Sequence, residues 1–286
     1  MPLALLSPAK TFNEGSPKLP LAATAACPEL SQNSAELLEI CRGLRAPQIK
    51  KLMGVSDGIA ALNISRFKNF ADQPAVNAAV GFDGPAHRAL DFASLGKPAQ
   101  EYGQQHVATL SGLYGFLMPR DEIRPYRLEM GTKLENPKGS SLYDWWGDAI
   151  AAALLCRLGQ LPAAQRFVVN VASAEYFKAV GKHLSKANAE VWTVEFPGPS
   201  VYAKQARGLY CRFLCSAGVV SAGQLTDFCA WSARPGVHGL PCSYRLAGKD
   251  EVARRLTFAR VAGEAAGKSA PKKKPASKPL AKRQKR

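Results

Sequence analysis

Three stretches of the chain place chemically able side chains at close spacing. The first, Ser7-Pro8-Ala9-Lys10-Thr11, holds two hydroxyls and an ammonium within five residues. A phosphate-cradling P-loop needs several glycines so that its amides converge on the anion, and this stretch has none. A serine nucleophile activated by a lysine three residues on needs S-D-N and K-T-G elements downstream. The chain offers Ser56-Asp57-Gly58 and Gly131-Thr132-Lys133 instead, so both matches are coincidences. What remains is a loop suited to touching an anion, beside the plainer reading of a capped loop with an exposed lysine. The second stretch, NVASAEY, sets Asn170, Ser173, Glu175 and Tyr176 where an apolar run turns into a helical one, the usual ligand position in α/β proteins. Simple helix capping by Asn and Ser accounts for the same residues.

The third stretch is QIKKLMGVSDGIAALNISRFKNF at residues 48–70. Gly54, Ser56 and Gly58 form a tight turn between two short amphipathic segments, with Lys50, Lys51, Arg66 and Lys68 around it. A helix-hairpin-helix element that grips DNA phosphates needs this arrangement, because small residues let the backbone approach and the second helix presents its amides. The usual turn is apolar-Gly-apolar-Gly, and here Ser56 stands at the second glycine. An αα-corner that merely closes a core reads the same way.

Other groups carry less. Arg127 and Glu129 alternate with Tyr126, Leu128 and Met130 in PYRLEMGTKL, which predicts a half-buried strand whose polar face pairs with itself. Trp145 and Trp146 lie on an apolar helix and read as core rather than a base-stacking platform. The seven cysteines lack C-x-x-C spacing, Cys211 and Cys215 have no partner ligands, and the four histidines share no spacing. No metal and no cofactor is expected.

The elements that must position these residues follow from periodicity. LALL reads as a strand, Asn33-x-x-Glu36 as a capping box opening a helix that stops near Gly43, and Pro47 as a helix start. Ser56 or Asp57 caps Ile59–Phe70, whose Ile59, Leu62, Phe67 and Phe70 are expected inside. Residues 71–103 are weakly patterned, and Gln104–Leu113 reads as helix. LYDWWGDAIAAALLCRL is the most helical stretch, RFVVNVAS and AEVWTVEF are strands, and YAKQARGLYCRFLCSAG is a helix with Lys204, Arg207 and Arg212 on its outer face. Strands alternating with helices predict an α/β fold, a mixed sheet with surrounding helices, over residues 1–263. Residues 264–286 change to Lys/Pro/Ala/Ser, which cannot bury a core, and are expected to be a disordered basic tail.

At 286 residues and 47% hydrophobic content the chain can bury a large core. Its net charge is +16, and residues 268–286 hold nine Lys/Arg and no acid. The first 267 residues therefore keep 29 basic against 22 acidic side chains, a net +7, which favours polyanionic partners without specifying a fold. No apolar run spans a membrane and MPLALLSPAK has no basic leader, so a cytoplasmic protein with reduced thiols is expected. PKKK and KRQKR fit nuclear-import clusters as well as nucleic-acid contacts.

LLSPAKTF, QIKKLMGVSDGIAALNISRF, LSGLYGFLMPRDEIRPYRLEMGTKLENPKG, LYDWWGD, VVNVASAEYFKAV and YAKQARGLYCRF together resemble the YaaA-type peroxide stress proteins, in the family's order across about residues 3–215. LTDFCAW continues the likeness at 225–231, and RPGVHGLPCSYRLAGKDE looks like divergent closing strands. The resemblance implies a family-specific mixed α/β fold with a helix-hairpin-helix element at 47–70 and a positively charged cleft. It also implies a cytoplasmic role in limiting peroxide and iron damage to DNA, with no established reaction. The cleft residues carried over by position are Ser7, Lys10, Thr11, Arg127, Glu129, Lys133, Asn170, Ser173, Glu175, Tyr176, Lys178, Lys204 and Arg207. Where the family has Gly-Asp-x-Tyr, this chain has Gly84-Pro85-Ala86-His87. The expectation is a monomer that binds DNA largely irrespective of sequence, with a small anionic ligand possible and no membrane partner. The competing expectation is an enzyme acting on a nucleotide-like or phosphorylated molecule in the cleft.

Overall fold

The computed structural model describes residues 2–15, 19, 28–234 and 242–262. The basic tail read at 264–286, the boundary at 263, Cys27 and His238 lie outside them. Chain order is β1 (Leu3–Leu6), α1 (Pro28–Arg42), α2 (Ala46–Met53), α3 (Asp57–Lys68), β2 (Val76–Asn77), α4 (Ala78–Gly81), α5 (Pro85–Leu90) and α6 (Lys97–His106). It continues with β3 (Val107–Ser111), β4 (Gly115–Leu117), β5 (Glu122–Ile123), α7 (Leu142–Trp146), α8 (Ala149–Gly159), β6 (Phe167–Asn170) and α9 (Ala174–Lys186). The last elements are β7 (Glu190–Glu195), α10 (Ser200–Ala217), α11 (Phe228–Ser232), β8 (Cys242–Asp250) and β9 (Arg255–Ala262).

A seven-stranded sheet runs in the order β4-β3-β1-β6-β7-β9-β8. The inner strands are parallel, and β4 and β8 are antiparallel edges, which makes the sheet mixed as the alternation of elements requires. β1 shows why an apolar run without polar alternation becomes a central strand. Leu3 and Leu5 enter a core under α1, α8 and α9, while Ala4 and Leu6 enter the opposite core under α10 and α11. Burial of such side chains contributes roughly 1.5–3 kcal/mol each relative to exposure.

Several expectations are corrected. Gln104–Leu113 is not one helix: α6 ends at His106, and Val107–Ser111 is a buried strand paired with β1 and β4. A short apolar run cannot be told from a helix by its period alone, and pairing decided it. PYRLEMGTKL keeps its alternation, with Tyr126, Leu128 and Met130 buried, but forms no ladder. Gly147, at φ 50 and ψ −119, breaks the long helix into α7 and α8. α1 starts at Pro28, so Asn33-x-x-Glu36 lies inside the helix rather than at its cap.

On α3 the inward face is Ala60, Asn63 and Phe67, while Ile59 and Leu62 are 37% and 48% exposed. The buried stripe is therefore turned one residue from the expected one, although Phe67 and Phe70 are inside. Arg212 is not on a free outer face of α10, because its Nη1 donates to the Leu90 and Asp91 carbonyls, both at 2.9 Å. Trp145 and Trp146 are core, as their helix predicted, and Trp146 Nε1 donates to the Gly112 carbonyl at 3.0 Å.

Candidate functional site

The chain leaves β1 for β3 on one side of it and reaches β6 on the other, so strand order reverses at β1. In open parallel sheets a crevice forms beyond the strand ends at such a point, and ligands bind there. Ser7 follows β1, and Ser173 is the N-cap of α9 after β6. The Ser173 amide donates to Ser7 Oγ at 2.8 Å and the two hydroxyl oxygens lie 3.3 Å apart, which ties the two strand ends together. A cavity of about 440 Å³ opens over this junction. Its walls come from the loop after β1, the start of α5, the 126–129 segment, the start of α9 and one face of α10.

Two close packings set the walls. A Cβ on Gly208 would lie 1.9 Å from the Ala86 carbonyl oxygen, so only glycine lets α10 approach α5 and bring Arg207 beside the 83–88 segment. A Cβ on Gly84 would lie 2.8 Å from that of Ala9, which holds the same segment against the loop after β1.

Five cationic side chains (Lys10, Arg88, Arg127, Lys204 and Arg207) and three carboxylates (Asp83, Glu129 and Glu175) line the cavity. Glu129 Oε1 is shared by Lys10 Nζ at 3.0 Å and Arg127 Nε at 3.1 Å, and its Oε2 is buried with no partner. Arg88 clamps Asp83 through both carboxylate oxygens, at 2.5 and 2.9 Å. That hydrogen bonding holds the Asp83 carboxyl below its ordinary range and raises the guanidinium. Thr11 Oγ1 donates to the Asp83 carbonyl. Glu175 accepts the Gly131 amide at 2.9 Å, while burial pushes the Tyr176 hydroxyl well up.

His87 is 4% exposed, and neither ring nitrogen has a partner. Burial holds its imidazole down to about 4 against the opposing pull of Asp83, so it is neutral near pH 7. Burial also lowers Arg207, whose Nε has no partner. A buried polar group left unpaired costs about 1–3 kcal/mol, and this wall carries several.

Ten of the residues carried over by position line this one cavity: Ser7, Lys10, Thr11, Arg127, Glu129, Ser173, Glu175, Tyr176, Lys204 and Arg207. Three do not. Asn170 is buried, and its Oδ1 accepts the Ala172 amide at 3.0 Å, shaping the turn out of β6. Lys178 lies over the Tyr143 ring at 4.5 Å, and Lys133 is exposed outside the lining. Asp83, His87 and Arg88 were missed. Their one signal was the departure at Gly84-Pro85-Ala86-His87, since nothing in a weakly patterned stretch marks a buried histidine.

The residues at 50–68 form a separate feature. α2 ends at Gly54, which adopts the left-handed conformation at φ 58, and Ser56 caps α3 by accepting the Ile59 amide at 3.4 Å. Gly58 is exposed, and a Cβ placed on it meets nothing within 4 Å. Lys50 pairs with Asp57 at 2.8 Å and Arg66 with Glu14 at 2.8 Å, Arg66 being only 16% exposed. Lys51 and Lys68 are exposed and form no ion pair among the described residues. No helix among the described residues is long and apolar enough to cross a membrane.

Comparison with known proteins supplies the context for this geometry. A profile for the family described as peroxide stress protein YaaA matches residues 3–232. A UPF0246 protein from Delftia acidovorans is 39% identical over 268 residues, covering 90% of this chain and 98% of that protein.

Proposed function

The chain belongs to the peroxide stress protein YaaA family, and from that premise we propose that it serves peroxide resistance by binding DNA through phosphate contacts. In this reading α2, the turn at Gly54–Ser56 and α3 act as a helix-hairpin-helix element, with the cationic rim of the cavity as a second contact. The observation that carries it is Gly58. Glycine in a helix costs about 0.5–1 kcal/mol relative to alanine, and nothing inside the fold requires glycine at this position. An exposed first turn without a side chain is what a phosphate needs to reach the amides of a helix N-terminus. Lys51, in the last turn of α2, supplies charge beside this turn, Lys68 supplies it about 15 Å along the axis at the far end of α3, and the net +7 of the first 267 residues supplies the long-range field. Binding of this kind is largely independent of sequence, because phosphate contacts carry no sequence information directly.

Asp57 provides the test, because it is the acidic residue of the hairpin tip and is 85% exposed. Asp57→Asn removes a like charge from the phosphate path and frees Lys50. Fluorescence anisotropy with a labelled duplex is expected to show severalfold tighter binding at low salt. Unchanged or weaker binding would place the DNA contact elsewhere.

A further inference from the structure

We infer that the cavity between the ends of β1 and β6 is a binding site for a phosphomonoester that also carries hydroxyl groups, of the size of a sugar phosphate or nucleoside monophosphate. The inference does not rest on the hairpin contacting DNA, since the hairpin residues lie outside the cavity lining.

The buried unpartnered atoms carry the argument. Nine buried side-chain nitrogen and oxygen atoms have no hydrogen-bond partner among the described residues, and four of them belong to three residues of this one cavity. They are His87 Nδ1 and Nε2, Arg207 Nε and Glu129 Oε2. All four atoms are shielded from the open cavity as the side chains stand, so a ligand meets them through small side-chain rotations, and together they define it by its complement. Arg207 donates only, and with the neighbouring Lys204 it has no carboxylate within ion-pair distance among the described residues, so the two cations await an anion. Glu129 Oε2 accepts only and needs a donor. A neutral imidazole offers one donor and one acceptor, which a hydroxyl satisfies from either side.

An anion with a hydroxyl-bearing body meets all three demands, and a lone inorganic anion meets one. Two unpaired cations favour the dianionic monoester over the monoanionic diester inside a nucleic-acid strand. A volume of about 440 Å³ falls in the range of sites for small molecules and is far larger than a phosphate alone. The position, at the point where strand order reverses, is where this class of sheet binds such ligands.

The test is thermal unfolding of the full chain with ribose 5-phosphate, AMP, methyl phosphate and sodium sulfate at matched ionic strength. Ribose 5-phosphate or AMP is expected to raise Tm in a saturable way at concentrations where sulfate does nothing. Methyl phosphate, which lacks the hydroxyls, is expected to bind at least tenfold more weakly. Glu129→Gln and Lys204→Ala should each weaken the response at least tenfold. Lys204 is exposed on the rim, so its variant keeps the test decisive if Glu129→Gln disturbs folding.

Paired oligonucleotides with a 5′-phosphate and a 5′-hydroxyl separate a free ligand from a strand end. A response to the phosphorylated strand alone, lost in Lys204→Ala, assigns the monoester to a strand terminus. The inference is overturned if sulfate matches the sugar phosphate, or if both variants keep the wild-type response to every ligand.

Discussion

Replacing Gly58 with alanine sets the stability of the fold against its proposed contact with DNA. The added methyl meets nothing within 4 Å, so it creates no clash and buries nothing. What changes is the backbone: alanine is better than glycine in a helix by about 0.5–1 kcal/mol. Because Gly58 lies in the first turn of α3, the lower end applies, about 0.5 kcal/mol, or about 1–2 °C in Tm for a chain of this size. In the proposed contact the methyl stands where a phosphate approaches the first turn of α3. Losing one hydrogen bond to a charged group costs about 1.5–3 kcal/mol, which is about tenfold or more in Kd. The variant is therefore expected to have a slightly higher urea midpoint and a markedly weaker duplex affinity, measured on the same preparation at one salt concentration. Stability that rises while affinity stays unchanged would mean that the open turn has no contact with DNA.

Gly208→Ala acts in the opposite direction. Its Cβ would lie 1.9 Å from the Ala86 carbonyl, and moving two backbones apart costs about 1–3 kcal/mol, so the urea midpoint should drop and the cavity ligand response should weaken. A wild-type midpoint would mean that α10 and α5 are not packed this closely. The pH dependence follows from His87, held near 4 by burial against an ordinary 6.5. The unfolded chain takes up a proton that the folded state refuses. Stability is thus full above about pH 6.5 and declines as pH falls toward 4, by at most about 3 kcal/mol from this residue. His106, also depressed to about 4 by burial, adds in the same direction. Urea midpoints at pH 7 and pH 4.5 check this, and equal midpoints would contradict a buried neutral His87.

Much of the site was readable because its residues lie where strands end. Ser7 and Ser173 each follow an apolar run, and apolar runs of this length declare central strands once helices flank them. Arg207 was visible on α10 through the helical period. Its direction was not: glycine at 208 lets α5 cover it, a tertiary fact that the period alone cannot report. His87 and Asp83 were invisible for a related reason. They sit in a short turn and a six-residue helix, where no period develops, and the burial of His87 comes with the close packing of this segment on α10 and the loop after β1. Val107–Ser111 was misread because five apolar and small residues fit either helix or strand until a partner strand is present. On α3, Ile59 and Leu62 looked like core by residue type, yet Ala60, Asn63 and Phe67 took the inner face.

The proposed function stands on contact between the folded hairpin and DNA phosphates. The salt dependence of binding to a linear duplex reads this out, compared between the full chain and a Lys51→Glu, Lys68→Glu variant. Each phosphate contact contributes about 0.9 to the slope of log K against log salt. The slope is expected to be shallower by about two in the variant. Identical slopes for the two proteins would contradict it and put the phosphate contacts elsewhere, on the cavity rim or the basic tail.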